Sequence, residues 1–123
     1  MAARYEAVQI RIEENRVIAS VSPSMENIQS FSPSGQMLVD SENLAFLYIL
    51  DSEEGYQYVS FRHDLWETLK EGINQDMHVF IENNNNMIEL KDFYTELAYL
   101  IHNIKDNPNY GERMEKEVET NFF

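Results

Sequence analysis

The chain has 123 residues, no cysteine and a formal charge of −13 at pH 7, with 43% hydrophobic and 25% charged residues. That is the size and balance of one globular domain, so a single domain over 1–123 is expected, with core enough to need no disulfide or metal. The lack of cysteine excludes thiol nucleophiles, iron–sulfur clusters and thiolate zinc sites.

The first half reads as strands and turns. Val8, Ile10 and Ile12 alternate with polar residues, the period of a half-buried strand. Glu14-Asn15 turns the chain into Arg16–Val21, where Val17, Ala19 and Val21 share a face, giving a hairpin. Ser22-Pro23-Ser24 and Ser32-Pro33-Ser34 each read as a turn, with a short edge strand expected over Asn27–Phe31. Met37–Asp40 is a short strand. Leu44–Leu50 is apolar on both faces, so it must be covered on both sides and is expected to be central. Asp51–Gly55 turns the chain and Tyr56–Phe61 returns against it.

The second half mixes helix and strand. Leu65, Trp66, Leu69 and Ile73 predict a helix over 63–73, with Asp64 as its N-cap, Glu67 three residues on and Gly72 at its C-cap region. Met77, Val79 and Ile81 alternate as a strand, with His78 facing away from them. Asn83–Asn86 is a turn, and Met87–Leu90 is a short strand or the lead into a helix. Phe93, Leu97, Leu100, Ile101 and Ile104 form an apolar stripe on a helix from Lys91 to Lys105, which stops before Asn107-Pro108. Tyr110, Met114, Val118 and Phe122 predict a last helix over 109–121. The expected fold class is therefore α+β: an antiparallel sheet with two to three helices, mainly C-terminal, packed on one face.

Few chemistries find their residues here. The four glycines, Gly35, Gly55, Gly72 and Gly111, are too scattered for a phosphate loop. Neither a G-x-S-x-G elbow nor an H-E-x-x-H helix is present. His63, His78 and His102 lack metal-ligand spacing, and the carboxylate pairs lie in or beside turns. No metal, cofactor or catalytic residue is expected. The charge is diffuse, −6 over residues 1–61 and −7 over 62–123, and the basic residues do not cluster. That argues against a nucleic-acid surface and an anionic membrane. No stretch has the length of a membrane span and no apolar run follows Met1–Tyr5 as in a secretory signal, so a cytoplasmic location is expected.

The stretch from Met37 through Asp40-Ser41-Glu42-Asn43 to Tyr48-Ile49-Leu50 resembles a family of small acidic proteins from Bacillus-type bacteria, the YjbL-like family. Tyr58-Val59-Ser60, Trp66 and Asn107-Pro108-Asn109-Tyr110-Gly111-Glu112 resemble it too, so the likeness covers the last 85–90 residues or so. It implies a bacterial cytosolic protein of this length. It brings no activity, ligand or site residue.

Three functional readings follow. The first is a non-enzymatic protein-interaction or regulatory module, a homodimer or the binder of a protein partner, with Phe46, Tyr48 and Leu50 as interface candidates. The second is a small-molecule binder or minor enzyme with a pocket between the 44–61 hairpin and the helices, lined by Tyr56, Tyr58, His63, Asp64 and Trp66. The third is an acidic mimic docking on a basic partner. Tyr and Trp favour binding surfaces because each buries area yet keeps a polar handle.

Overall fold

The computed structural model describes residues 4–123. The N-terminal alternation forms β1 (Arg4–Glu13) and β2 (Arg16–Ser22), an antiparallel pair. Glu14 and Asn15 both take positive φ, 53° and 64°, as a two-residue hairpin turn requires. A meander follows: β3 (Ser32–Asp40), β4 (Ala45–Ser52) and β5 (Gly55–Arg62). Next come α1 (Trp66–Asn74), the hairpin β6 (His78–Asn83) and β7 (Asn86–Glu89), then α2 (Phe93–Ile104) and α3 (Glu112–Phe122).

All seven strands join one sheet in the order β3-β4-β5-β1-β2-β6-β7. The sheet is mixed, which corrects the antiparallel expectation: β1 runs parallel to β5, and β2 parallel to β6. The first hairpin is inserted between the later meander and the later hairpin. Each of its strands meets a partner far along the chain, the kind of connection parallel pairing needs. Alternation within a strand is blind to such partners.

Four local expectations are also corrected. Asn27–Phe31 is not a strand; Asn27 is left-handed at φ 56° and a 3-10 turn spans Ile28–Ser30. Ser32-Pro33-Ser34 is not a turn but the start of β3, an edge strand, where proline's missing N–H costs no ladder bond. Asp64 does not cap α1, because a 3-10 turn over His63–Leu65 precedes the helix and no side-chain cap is made. Gly72 lies inside α1, whose C-cap is Gln75.

One face of the sheet carries the core. Val17, Ala19, Phe46, Tyr48, Leu50, Val59, Phe61, Val79 and Ile81 pack there against Leu69 of α1, Phe93, Leu97 and Ile101 of α2, and Met114, Val118 and Phe122 of α3. Aromatic rings fill its centre: Phe46 lies 4.9 Å from Trp66, Trp66 5.6 Å from Phe122, and Phe61 5.0 Å from Phe93. The β2–β3 segment adds Met25 and Ile28 at one end of the sheet.

The sheet curls around this core. Tyr48 of β4 donates its hydroxyl proton to the Lys91 carbonyl, just beyond β7, at 2.7 Å. In a flat sheet β4 and β7 stand five spacings apart, about 24 Å. The same hydroxyl accepts from the Gly35 N–H at 3.0 Å, where Gly35 at φ 76° interrupts the β3–β4 register. Burial pushes the Tyr48 phenol up to about 12, so it is a protonated donor at neutral pH. Tyr48→Phe strands the part-buried Gly35 N–H and the Lys91 carbonyl at once. It is expected to cost about 1–3 kcal/mol in urea unfolding; a loss below about 0.5 kcal/mol would show that the bridge contributes nothing.

Candidate functional site

The curl leaves one question that Leu44–Leu50 raised in the sequence: what covers its second face. Phe46, Tyr48 and Leu50 point into the helix-covered core and are 0% exposed. Ala45, Leu47 and Ile49 point the other way, to the convex outer face, where none of the helices among the described residues lies. Leu47 stands between Leu38 and Ser60, and Ile49 beside Tyr58. Leu38, Leu47, Ile49, Tyr58 and Tyr56 thus form one patch across β3, β4 and β5. Its exposed members are Leu38 at 45% and Tyr56 at 60%.

Arginines complete the cover. Arg4 of β1 reaches the Ser60 hydroxyl at 3.2 Å and the Asp40 carboxylate at 2.9 Å, a span from β1 to β3. Beneath it Ala45 and Ser60 are fully buried. Burial pushes the Asp40 carboxyl up, but bonds from Asn43 and Arg4 outweigh it and hold it below the usual range. Arg11 of β1 pairs with Glu82 of β6, reaching past β2, and Arg16 lies 5.6 Å over the Phe80 ring. Ile18, under this second group, is 1% exposed. Four of the chain's five arginines, Arg4, Arg11, Arg16 and Arg62, sit on this face, as strand register requires.

The sequence-predicted site residues do not converge. Tyr56 and Tyr58 belong to the outer face. Trp66 is fully buried on the other side of the sheet, its indole N–H donating to the Phe61 carbonyl at 3.0 Å. His63 lies at the sheet's end, 3.7 Å from Glu117 of α3, and Asp64 beside it on the 3-10 turn. The space expected to be a pocket between hairpin and helices is filled by Phe46, Phe61, Trp66, Phe93 and Phe122. The interface candidates Phe46, Tyr48 and Leu50 are corrected for the same reason: core side chains cannot meet a partner while the domain is folded. Their neighbours of opposite parity, Leu47 and Ile49, are the ones that face outward.

His78 does face away from Val79, and its Nδ1 lies 2.7 Å from Glu89 on the outer face. Among the described residues no three His, Asp or Glu side chains converge as metal ligands, and no helix is long and apolar enough to cross a membrane.

Comparison with known proteins gives a consistent kinship and no activity. A 43% identical relative from Bacillus pumilus, described as a UPF0738 protein, covers 99% of both chains. The UPF0738 protein YjbL of Bacillus subtilis is 47% identical over 90 residues, 73% of this chain and 74% of that one. A Bacillus licheniformis relative is 37% identical over 99% of both. No solved structure matches. The model of UPF0738, a family of unknown function, matches residues 5–122, and with relatives this similar along the whole chain, the protein belongs to that family.

Proposed function

We propose that the protein is a non-enzymatic interaction module that self-associates through the outer face of β3, β4 and β5. The observation that carries this reading is the contiguous patch of Leu38, Leu47, Ile49, Tyr56 and Tyr58 on a face that no helix among the described residues covers. A second copy is the favoured occupant because of charge. Strand register puts four arginines and six carboxylates (Glu6, Glu13, Asp40, Asp51, Glu82 and Glu89) on the outer face, net −2 of the chain's −13. Two copies meeting there hold their acidic helices and turns outward and far apart, which keeps the repulsion between them small.

The area suits a reversible dimer. Three strands, β3 to β5, of about eight residues cover about 14 by 26 Å. Two such footprints bury about 750 Å², the size of a weak, transient contact. Sedimentation equilibrium is expected to show a concentration-dependent dimer whose affinity changes little between low and moderate salt. Tyr56→Glu and Leu38→Glu, each at an exposed position, are expected to give a folded monomer. A wild-type chain that stays monomeric at several hundred micromolar would sink the proposal. Strong weakening of the dimer by salt would count against the apolar patch, because it requires opposite charges paired across the interface.

A further inference from the structure

The face proposed to self-associate carries opposite charges at the two ends of its apolar patch. In the β4–β5 pair Ala45 lies opposite Arg62 at one end and Asp51 opposite Tyr56 at the other, with Leu47, Ile49 and Tyr58 between. The two ends are six residues apart along β4, about 20 Å. Strand alternation points Arg62 and Asp51 outward with the patch, and both are exposed. Neither is in an ion pair with a described residue. Arg4 also reaches the first end, but it is already bonded to Glu6 and Asp40.

That polarity decides how two copies can meet. Facing sheets, about 10 Å apart, are related by a two-fold axis lying between them. An axis along the strands stacks each end on its own kind. Arg62 then faces Arg62, and Asp51, with Glu53 and Glu54 in the turn beyond it, faces the same three carboxylates. An axis across the strands reverses one copy end for end. Arg62 of each copy then lies over the Asp51 end of the other, and symmetry makes that contact twice. The charges are self-complementary in the second orientation and not in the first.

We infer that two copies pack with their strands antiparallel, and that crosswise contacts between Arg62 and Asp51 select this orientation and this partner. The inference rests on self-association through the outer face. Both residues sit at the rim of the patch, where a water-exposed pair adds little affinity but fixes register. The small salt dependence expected of the apolar patch is therefore kept. Like charges brought together at the same places cost more than the native pairs gain.

The test is sedimentation equilibrium on the full chain with the charges reversed one at a time. Arg62→Glu and Asp51→Arg are each expected to weaken the wild-type dimer about tenfold, since each brings like charges together twice. Asp51→Arg also brings the net charge from −13 to about −11, so diffuse repulsion alone would strengthen the dimer instead. Arg113→Glu, an exposed control on α3, is expected to change the affinity by less than about twofold. An equimolar mixture of Arg62→Glu and Asp51→Arg chains is expected to associate as well as wild type, because every crosswise contact then joins opposite charges. The double variant Arg62→Glu/Asp51→Arg should recover the dimer within one chain. A wild-type dimer indifferent to either reversal, or no recovery in the mixture, would overturn the crosswise orientation and leave self-association standing. A wild-type chain that stays monomeric at several hundred micromolar would overturn both.

Discussion

Trp66→Ala is expected to destabilise the domain by about 3–5 kcal/mol, the largest loss from any single core truncation here. The indole is fully buried at the first residue of α1, between Phe46 of β4 and Phe122 of α3. It therefore joins the sheet, the first helix and the last helix in one contact. Truncation leaves a cavity at that junction and orphans the Phe61 carbonyl. Against a total stability of about 5–15 kcal/mol, the loss removes about a fifth of the margin or more. The urea midpoint should fall by about 2 M. Trp66→Phe keeps the ring contacts but not the indole N–H, so a smaller loss of about 1–3 kcal/mol is expected. A loss below 1 kcal/mol in Trp66→Ala would show that the three elements hold together without the indole.

The same residue shows why the sequence identified the core more readily than the site. Trp66 stood close in sequence to Tyr56, Tyr58 and His63, and chain proximity suggested a shared pocket. Proximity is a poor guide at a strand. Successive side chains point to opposite faces, so Tyr56 and Tyr58 leave on the side away from Trp66. The apolar stripes of α2 and α3 were legible because a helix's buried face is written into its own period. The strand Leu44–Leu50 was legible as doubly apolar, but which of its faces met helices depended on later elements: Phe46 meets Trp66 of α1, 20 residues on, and Tyr48 meets Phe93 of α2, 45 residues on. The answer to what covers its second face is short-range polar chemistry, the Arg4 bridge to Ser60 and Asp40, together with a patch left open.

A bulge hid that bridge from the sequence. Arg4 and Arg11 are seven residues apart, so strict alternation places them on opposite faces of β1. The register of β1 against β2 shifts between Ala7 and Gln9, which reverses the parity. Both arginines then reach the outer face. Val8, expected to share a face with Ile10 and Ile12, is instead 58% exposed. Ala7 takes a place in the core. One inserted residue thus sets the charge of the face proposed to self-associate, since without it Arg4 and Glu6 would point into the helices.

Gly72→Ala is the second substitution with a large expected effect, and its sign runs against helix propensity. Alanine in a helix is ordinarily better than glycine by about 1 kcal/mol. Here a Cβ at position 72 would fall on the Tyr94 hydroxyl, 2.7 Å from Val17 Cγ2 and 3.1 Å from Tyr94 Cζ. The helix, β2 and α2 meet too closely for a methyl group, so overpacking of about 1–3 kcal/mol is expected to prevail. Tyr94 contributes the tighter contact, and its hydroxyl is buried with no partner, burial alone pushing the phenol above its ordinary range. Tyr94→Phe is therefore expected to be neutral or to stabilise by up to about 1 kcal/mol, because it removes an unsatisfied polar atom. The double variant Gly72→Ala/Tyr94→Phe should recover most of the loss, with a coupling of about 1 kcal/mol or more in urea unfolding. If it recovers nothing while Gly72→Ala/Val17→Ala does, the Val17 side chain of β2 rather than Tyr94 of α2 sets the fit. A stabilising Gly72→Ala would mean that α1 can move outward, and that close approach to Val17 and Tyr94 is not what position 72 requires.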